Sequence, residues 1–506
     1  HNDTQTGYRF GPQLAESRIH FVNYDDPCVY KRGLIKRCAH EEHPHDTVVR
    51  GDFIKFCENY IKHKVIPLRE NLDPEILLEE WLLNSNYNGK RRDLMRQLNH
   101  AYYAKDEEVL RGKNALYRMY QLNSFVKREF YLEPKEARII NSRSDLFKSV
   151  VGPYIHACES LVYDEHFIKH LKPDQVAAKM SDVAQGFDLF YETDYSSFEG
   201  SFDKQLLRRV EWKLLNRLLL NYPEMQEIIA GCYNRPNVLR YKGQIVAKFE
   251  GSRMSGEMWT SMCNGFMNKM LVLYMAKRAN ANVNFLVEGD DGFICTNKPL
   301  DVSLAEKIGF KLKFDVTGDH RKISFCSLRV CQGHLVPDIR RTLSHYGSTC
   351  DEKISTFFKS RSKKSARLRR EYIKSKALSL LTVSRGIPIL QEIAIQQLRL
   401  VGDARLNMRF VDWWEKTFFD FDSLTPIPVT MKMRRYVQKV FQIPIHAQLR
   451  LEEQIRNCDS LCYDVDLELL NTNTCLYLNH CRAPKYCSAY GEDCESRETS
   501  HKIPQL

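Results

Sequence analysis

Val283-Asn-Phe-Leu-Val-Glu-Gly-Asp-Asp-Gly-Phe-Ile-Cys295 decides how this chain reads: two short apolar runs joined by Gly289-Asp290-Asp291-Gly292. The pattern predicts a β-hairpin. Its tip sets Asp290 beside Asp291, and adjacent carboxylates on a tight turn repel unless a cation or a catalytic task offsets the repulsion. A divalent metal is the simplest such cation. Asp-Gly is also an ordinary hairpin signal, so the weight falls on what surrounds it.

Upstream, Gly186 to Thr193 predicts a strand that ends in Asp194-Tyr195-Ser196-Ser197-Phe198-Glu199-Gly200. An acid at a strand end, with a second acid five positions on, suits a metal-and-ribose site. Standing alone, it would read as a strand running into an acidic surface loop. Between this strand and the hairpin, Gly251 to Glu257 forms a flexible turn opening a helix from about Thr260 to Lys277. Thr260, Asn264 and Asn268 fall on one stripe of that helix. Mid-helix Thr and Asn cost propensity, so the stripe either faces a sugar or forms a buried network. Further upstream, Lys127, Arg128, Lys135, Arg138 and Arg143 fall within seventeen residues that include strand-like runs. Cations spaced along extended backbone line a triphosphate channel or a solvated basic hairpin.

Downstream, Leu304 to Gly309 predicts a short helix, Phe310 to Val316 a strand carrying Lys311 and Lys313, and Ile323 to Leu328 a second strand. The order of elements is that of an α+β sheet with helices on one face. From about Gly333 the chain turns helical. Lys353 to Lys376 holds ten Lys or Arg interleaved with Phe357, Phe358 and Tyr372, which suits a helix along a phosphate backbone or a solvated face. Toward the N-terminus, residues 1 to about 50 read as loop-rich, and Asp52 to Leu68 and Asp203 to Leu220 read as amphipathic helices.

The 506 residues are 43% hydrophobic and 27% charged, the make-up of an ordinary globular protein of three or four subdomains. Lys plus Arg exceed Asp plus Glu by 75 to 64, a net charge of +11 that favours a polyanionic partner. No apolar run reaches the length of a membrane span and the N-terminus lacks a signal-peptide pattern, so a soluble, intracellular segment is expected. The chain opens at His1 rather than Met; an excised domain, a processed polyprotein piece and the downstream part of a longer product all fit. Ten of sixteen cysteines are scattered and read as small buried hydrophobes. The other six, Cys458, Cys462, Cys475, Cys481, Cys487 and Cys494, crowd into the tail with spacings of no standard zinc module. Cys28, Cys38, His40, His43 and His45 raise the same suspicion. A structural zinc is possible at either place but not favoured.

Taken together these stretches resemble a viral RNA-dependent RNA polymerase of the tombusvirus-like and flavivirus-like supergroup of positive-strand RNA viruses. The resemblance spans roughly Phe125 to Leu390 and rests on order and spacing. Asp194 to Glu199 looks like that family's motif A, and Ser255-Gly256, Thr260 and Asn264 have the S-G-x(3)-T-x(3)-N spacing of motif B. Gly289-Asp290-Asp291 looks like motif C and Phe325-Cys326-Ser327 like motif E. Lys135-Glu-Ala-Arg138-Ile with Arg143, preceded by Lys127, resembles the triphosphate-binding motif F, and Gly386 to Leu390 resembles a thumb element. Motif A of the family usually ends in Asp, where this chain has Glu199.

The resemblance implies an α+β right hand of fingers, palm and thumb, with an antiparallel palm sheet and a mainly helical thumb. Residues 1–185 would be an N-terminal extension and fingers, 186–204 palm, 205–250 a fingers insertion, 251–332 palm, and 333–506 thumb with the Cys-rich tail. It implies template-directed nucleotidyl transfer with two Mg²⁺ ions, replaceable by Mn²⁺, held by Asp194 and Asp290 with Asp291 assisting. Lys127, Lys135, Arg138 and Arg143 would neutralise the incoming triphosphate. Ser255, Thr260, Asn264 and Glu199 would recognise the ribose and its 2′-hydroxyl. Lys313 is the candidate acid toward pyrophosphate, with Lys311 its competitor. Template and product RNA, ribonucleoside triphosphates and other viral replication proteins are the implied partners. The implied location is the host cell cytoplasm, in membrane-associated replication complexes. A non-catalytic polymerase-like RNA-binding scaffold and a reverse transcriptase are the alternatives. An intact Asp194, Asp290 and Asp291 speaks against the first, and the lack of an aromatic residue directly before the aspartate pair against the second.

Overall fold

The computed structural model describes residues 8–17, 19–38, 43–112, 118–467 and 478–480. Eight strands build two four-stranded sheets, numbered in chain order: β1 Leu122–Val126, β2 Ile139–Arg143, β3 Leu189–Tyr195, β4 Asn237–Tyr241, β5 Gln244–Phe249, β6 Val283–Glu288, β7 Asp291–Thr296 and β8 Leu312–Thr317. One sheet runs β6-β7-β3-β8 and is antiparallel throughout. The other runs β2-β1-β4-β5, with β1 and β4 parallel.

Alternation along the strands explains how the first sheet is covered. Tyr191, Phe285, Val287 and Ile294 point into the largest core, shared with Met267, Met270 and Leu271 of the helix Thr260–Ala279. Phe190, Leu286, Phe293 and Cys295 point the other way, onto Val176, Ala177 and Met180 of the helix Pro173–Val183. Successive residues of a strand face opposite sides, so apolar residues at successive positions need cover on both. Helices therefore pack on both faces, not on one as the order of elements suggests. Each large side chain so buried contributes roughly 1.5 to 3 kcal/mol.

Two other expectations change. The N-terminal stretch contains the helix Pro27–Cys38, and the next helix is Thr47–Lys64, starting ahead of Asp52 because Asp46 caps it by accepting from the Val48 and Val49 amides. Ile323 to Leu328 is not a strand. Cys326 and Ser327 take left-handed φ of 52° and 64°, and the Phe325 and Leu328 backbones bond each other across the turn. The hairpin Leu328–Cys331 with His334–Pro337 follows.

The helix opening at Lys204 passes through a π-helical turn, Leu207–Glu211, before Trp212–Leu218. Beyond Pro337 the described chain is mainly helical, with Lys363–Ser384, Leu390–Val401, Met431–Phe441 and Ile445–Arg456 around a second core. Gln13–Leu14 pairs with Tyr463–Val465, tying the N-terminal segment to this region. Within the basic run, Phe358 and Tyr372 are buried: Phe358 stacks on Tyr8, and Tyr372 meets Phe10 and Phe410 edge-on, so those aromatics are core. Among the described residues no helix is long and apolar enough to cross a membrane.

Candidate active site

The hairpin forms as expected, with Glu288 opposite Asp291 and a two-residue turn of Gly289 and Asp290. Gly289 takes φ +59°, a conformation that tight hairpin turns demand and that glycine adopts without a Cβ penalty. Three supports hold the tip. Asn268 Nδ2 donates to the carbonyls of Gly289 at 3.2 Å and Asp291 at 3.0 Å. Lys169 Nζ donates to Glu288 Oε1 at 2.8 Å. The Val287 amide donates to the His166 carbonyl at 2.8 Å, with the His166 ring stacked 4.0 Å from that of Phe285.

β3 lies between β7 and β8. Gly292 is opposite Thr193, so the register carried one step further sets Asp291 beside Asp194; on the other flank Lys313 is opposite Asp194. The structure thus brings together Asp194, Asp291 and Lys313 across three strands, with Asp290 at the adjoining tip. Burial, and then the charges of Glu199, Asp291 and Asp194, push the Asp290 carboxyl up to about 6 against the pull of a backbone amide. Burial also raises Asp291, while the Cys326 thiol that donates to it and the Arg341 charge pull it down. Glu192, two residues before Asp194, is half-buried and accepts from the Ser324 amide at 2.7 Å. Cys326 did not stand out in the sequence as an acidic-site neighbour, because it arrives through the turn at 325–328; Glu192 lies on β3 itself, on the same face as Asp194.

The motif A loop turns at Ser197, which takes left-handed φ 56°, into the short helix Phe198–Ser201. There Glu199 Oε1 accepts from Asn264 Nδ2 at 3.4 Å, and Arg37 stands 3.8 Å from Oε2. Arg37 belongs to the helix that the sequence concealed. Ser255 Oγ donates to the Ile139 carbonyl at 2.8 Å, and Gly256 lies so close to Asn141 that a Cβ there would stand 2.4 Å from its carbonyl oxygen. The motif B turn is thereby fastened to β2. Thr260 Oγ1 donates to the Met254 carbonyl at 3.2 Å. The polar stripe therefore divides: Thr260 holds the turn, Asn264 meets Glu199, and Asn268 braces the hairpin.

The basic segment divides too. Lys127 and Arg138 flank Glu129 at 3.4 and 3.7 Å and remain partly exposed, while Lys135 lies 4.5 Å from the Tyr131 ring centre. Arg143 corrects the expectation. Its side chain is 2% exposed and pairs with Glu257, and it also donates to the Tyr120 carbonyl at 2.6 Å and to Asn237 at 2.8 Å. Its donors are consumed inside the protein, so it stands apart from the other three cations.

Among the described residues no three His, Cys, Asp or Glu side chains are gathered closely enough to hold a metal ion. The donor set at the hairpin is nonetheless all carboxylate oxygen, the chemistry that suits Mg²⁺ or Mn²⁺ rather than zinc. Burial and the neighbouring charges of Glu199, Asp291 and Asp194 push up Asp290, and a bound cation would offset both. For zinc the described cysteines are free thiols. His40, Cys475, Cys481, Cys487 and Cys494 lie outside the described residues.

An antiparallel sheet carries an aspartate on an inner strand beside a Gly-Asp-Asp hairpin, backed by a helix with a Ser-Gly turn before it, the arrangement that the resemblance to viral RNA-dependent RNA polymerases implies. The chain belongs to the family described as viral RNA dependent RNA polymerase, whose family model matches residues 104–462. It is similar to the RNA-directed RNA polymerase of greasy grouper nervous necrosis virus, 25% identical over 206 residues covering 38% of this chain and 21% of the relative. The RNA-directed RNA polymerase of Atlantic halibut nervous necrosis virus is 26% identical over 207 residues, with the same shares of 38% and 21%. The chain thus spans about a fifth of the length of the curated relatives it matches.

Proposed function

We propose that this chain catalyses RNA-templated RNA synthesis for a viral genome, and that its right hand is laid out as fingers, palm and thumb. The observation that carries the reading is the cross-strand register that sets Asp194 beside Asp291 and Lys313, with Asp290 at the adjoining tip. On this reading the palm comprises 186–204 and 251–332, the fingers 1–185 and 205–250, and the thumb 333–506. Pairing of β1 with β4, which unites the two finger segments in one sheet, supports that division.

Asp194 and Asp290, with Asp291, would hold Mg²⁺ or Mn²⁺, which when bound supplies activation of the primer hydroxyl and charge neutralisation at the triphosphate. Lys127, Lys135 and Arg138 would draw and orient the nucleotide phosphates. Glu199 and Asn264 would meet the ribose, with Ser255 and Thr260 shaping the turn beside it. Lys313, next to Asp194 and exposed, would supply a proton to the departing pyrophosphate; Lys311 lends its carbonyl to the Ser196 amide, which ties the motif A loop to β8. RNA is the expected partner, with other viral replication proteins, in membrane-associated complexes of the host cytoplasm.

Asp290→Asn tests the reading. Template-directed ribonucleotide incorporation should vanish while RNA binding stays. Because burial, and then the charges of its neighbours, raise the Asp290 carboxyl, removing its charge should also stabilise the cation-free protein at neutral pH, by up to about 3 kcal/mol. Retained incorporation would refute a catalytic role for the hairpin, and a parent protein that binds RNA but incorporates nothing would favour the scaffold reading.

A further inference from the structure

The contact between Asn264 and Glu199 depends on which way the Asn264 amide faces, and a buried cation decides that. Arg253, in the turn before the helix Thr260–Ala279, is 4% exposed and donates through Nη1 to Asn264 Oδ1. A guanidinium has donors only, so the amide oxygen must turn toward it. Nδ2 is then left to face Glu199, to which it donates at 3.4 Å. The flipped amide would set NH₂ against the guanidinium and carbonyl against the carboxylate, opposing like partners at both ends.

Arg253 is in turn held from behind. It forms an ion pair with Glu211, the last residue of the π-helical turn, and its guanidinium carbon lies 3.8 Å from the centre of the Phe202 ring. Glu211 is itself anchored, accepting from Tyr233 Oη at 2.6 Å and Trp259 Nε1 at 2.9 Å. A π-helical turn shifts the side chains beyond it out of α-helical register, and such turns recur at functional sites. Here it delivers a carboxylate to the one cation that orients Asn264. Removing either member of a buried pair strands the other, so the arrangement holds a single geometry.

We propose that Arg253, held by Glu211, is a positioning residue for sugar selection: it fixes the Asn264 amide so that Asn264 and Glu199 together meet a ribose 2′-hydroxyl. This rests on the polymerase reading above. On this proposal Arg253 acts through Asn264 rather than on the nucleotide itself.

The test is extension of an RNA primer on an RNA template by one ribonucleotide or by the matching 2′-deoxyribonucleotide, with kcat and KM measured for each. Arg253→Lys keeps the charge but cannot span both Asn264 and Glu211. It should lower the ribose-over-deoxyribose preference roughly tenfold to a hundredfold, as loss of one charged hydrogen bond does, chiefly through the ribonucleotide KM. Asn264→Ala should do the same, and Arg253→Lys added to Asn264→Ala should change preference no further. Asn264→Asp keeps an acceptor for Arg253 and removes the donor toward Glu199, so it reads the orientation even if the Arg253 variant fails to fold; preference should fall there too. Equal losses on both sugars, additive effects of Arg253→Lys and Asn264→Ala, or an unchanged preference in Asn264→Asp would overturn the proposal. A parent protein that incorporates no ribonucleotide would instead sink the polymerase reading.

Discussion

Asn268, fully buried within the helix Thr260–Ala279, donates to the Asp291 carbonyl at 3.0 Å and to the Gly289 carbonyl at 3.2 Å. One amide thus grips the backbone on both sides of Asp290. Asn268→Ala leaves two carbonyls short of a donor, at about 1 to 3 kcal/mol for a buried group. We expect a matching loss of stability in urea unfolding and a fall in incorporation of roughly a hundredfold from a tip displaced by about 1 Å. Unimpaired incorporation in a destabilised variant would separate the brace from the chemistry.

Arg138 and Arg143 come from one basic stretch and should answer mutation differently. Arg138 is partly exposed beside Glu129, so Arg138→Ala should raise the nucleotide KM about tenfold or more with little change in fold. Arg143→Ala strands Glu257 in the interior and should cost about 3 to 5 kcal/mol of stability. A nucleotide KM effect in a stably folded Arg143→Ala protein would return that residue to the triphosphate path.

Glu199 stands where the family usually has Asp. Its Oε1 accepts from Asn264 at 3.4 Å, in a loop that turns at Ser197 with a left-handed φ of 56°. Glu199→Asp withdraws the carboxylate by about 1.5 Å. Ribose preference should drop, and Glu199→Ala should drop it further. If Glu199→Asp incorporates faster than the parent with preference intact, the extra methylene serves no purpose here.

His166 gives the hairpin a pH dependence. Burial lowers its imidazole below the ordinary 6.5, Lys269 adds to this, and the Phe285 carbonyl, Asp164 and Glu165 oppose it. The folded state therefore binds its proton less readily than the unfolded state does, so stability is full above about pH 6.5 and is lost as pH falls toward the folded value. Asp290, raised to about 6 in the same segment, works the opposite way, so the His166 contribution is the difference between parent and His166→Gln: hydrogen exchange across residues 283–296, corrected for intrinsic rates, should accelerate more in the parent between pH 7 and 5.5. His166→Gln should flatten that response; an unchanged profile would move the proton uptake elsewhere.

The sequence by itself determined the hairpin, the helix behind it and the acid at the end of β3, because period-two and helical patterning, Gly-Asp turn chemistry and strand-end acids are local signals. The Thr260, Asn264, Asn268 stripe was visible for the same reason. Its division of labour was not: whether Asn268 faces a sugar or joins a buried network is decided only when the hairpin packs against it. Tertiary structure alone decided that Arg143 is interior, since burial depends on Glu257 more than a hundred positions away. It alone brought Arg37 to Glu199, Cys326 to Asp291 and Glu211 to Arg253. These are pairings of distant residues, set by how sheets and helices stack, and nothing in the local pattern of either partner encodes them.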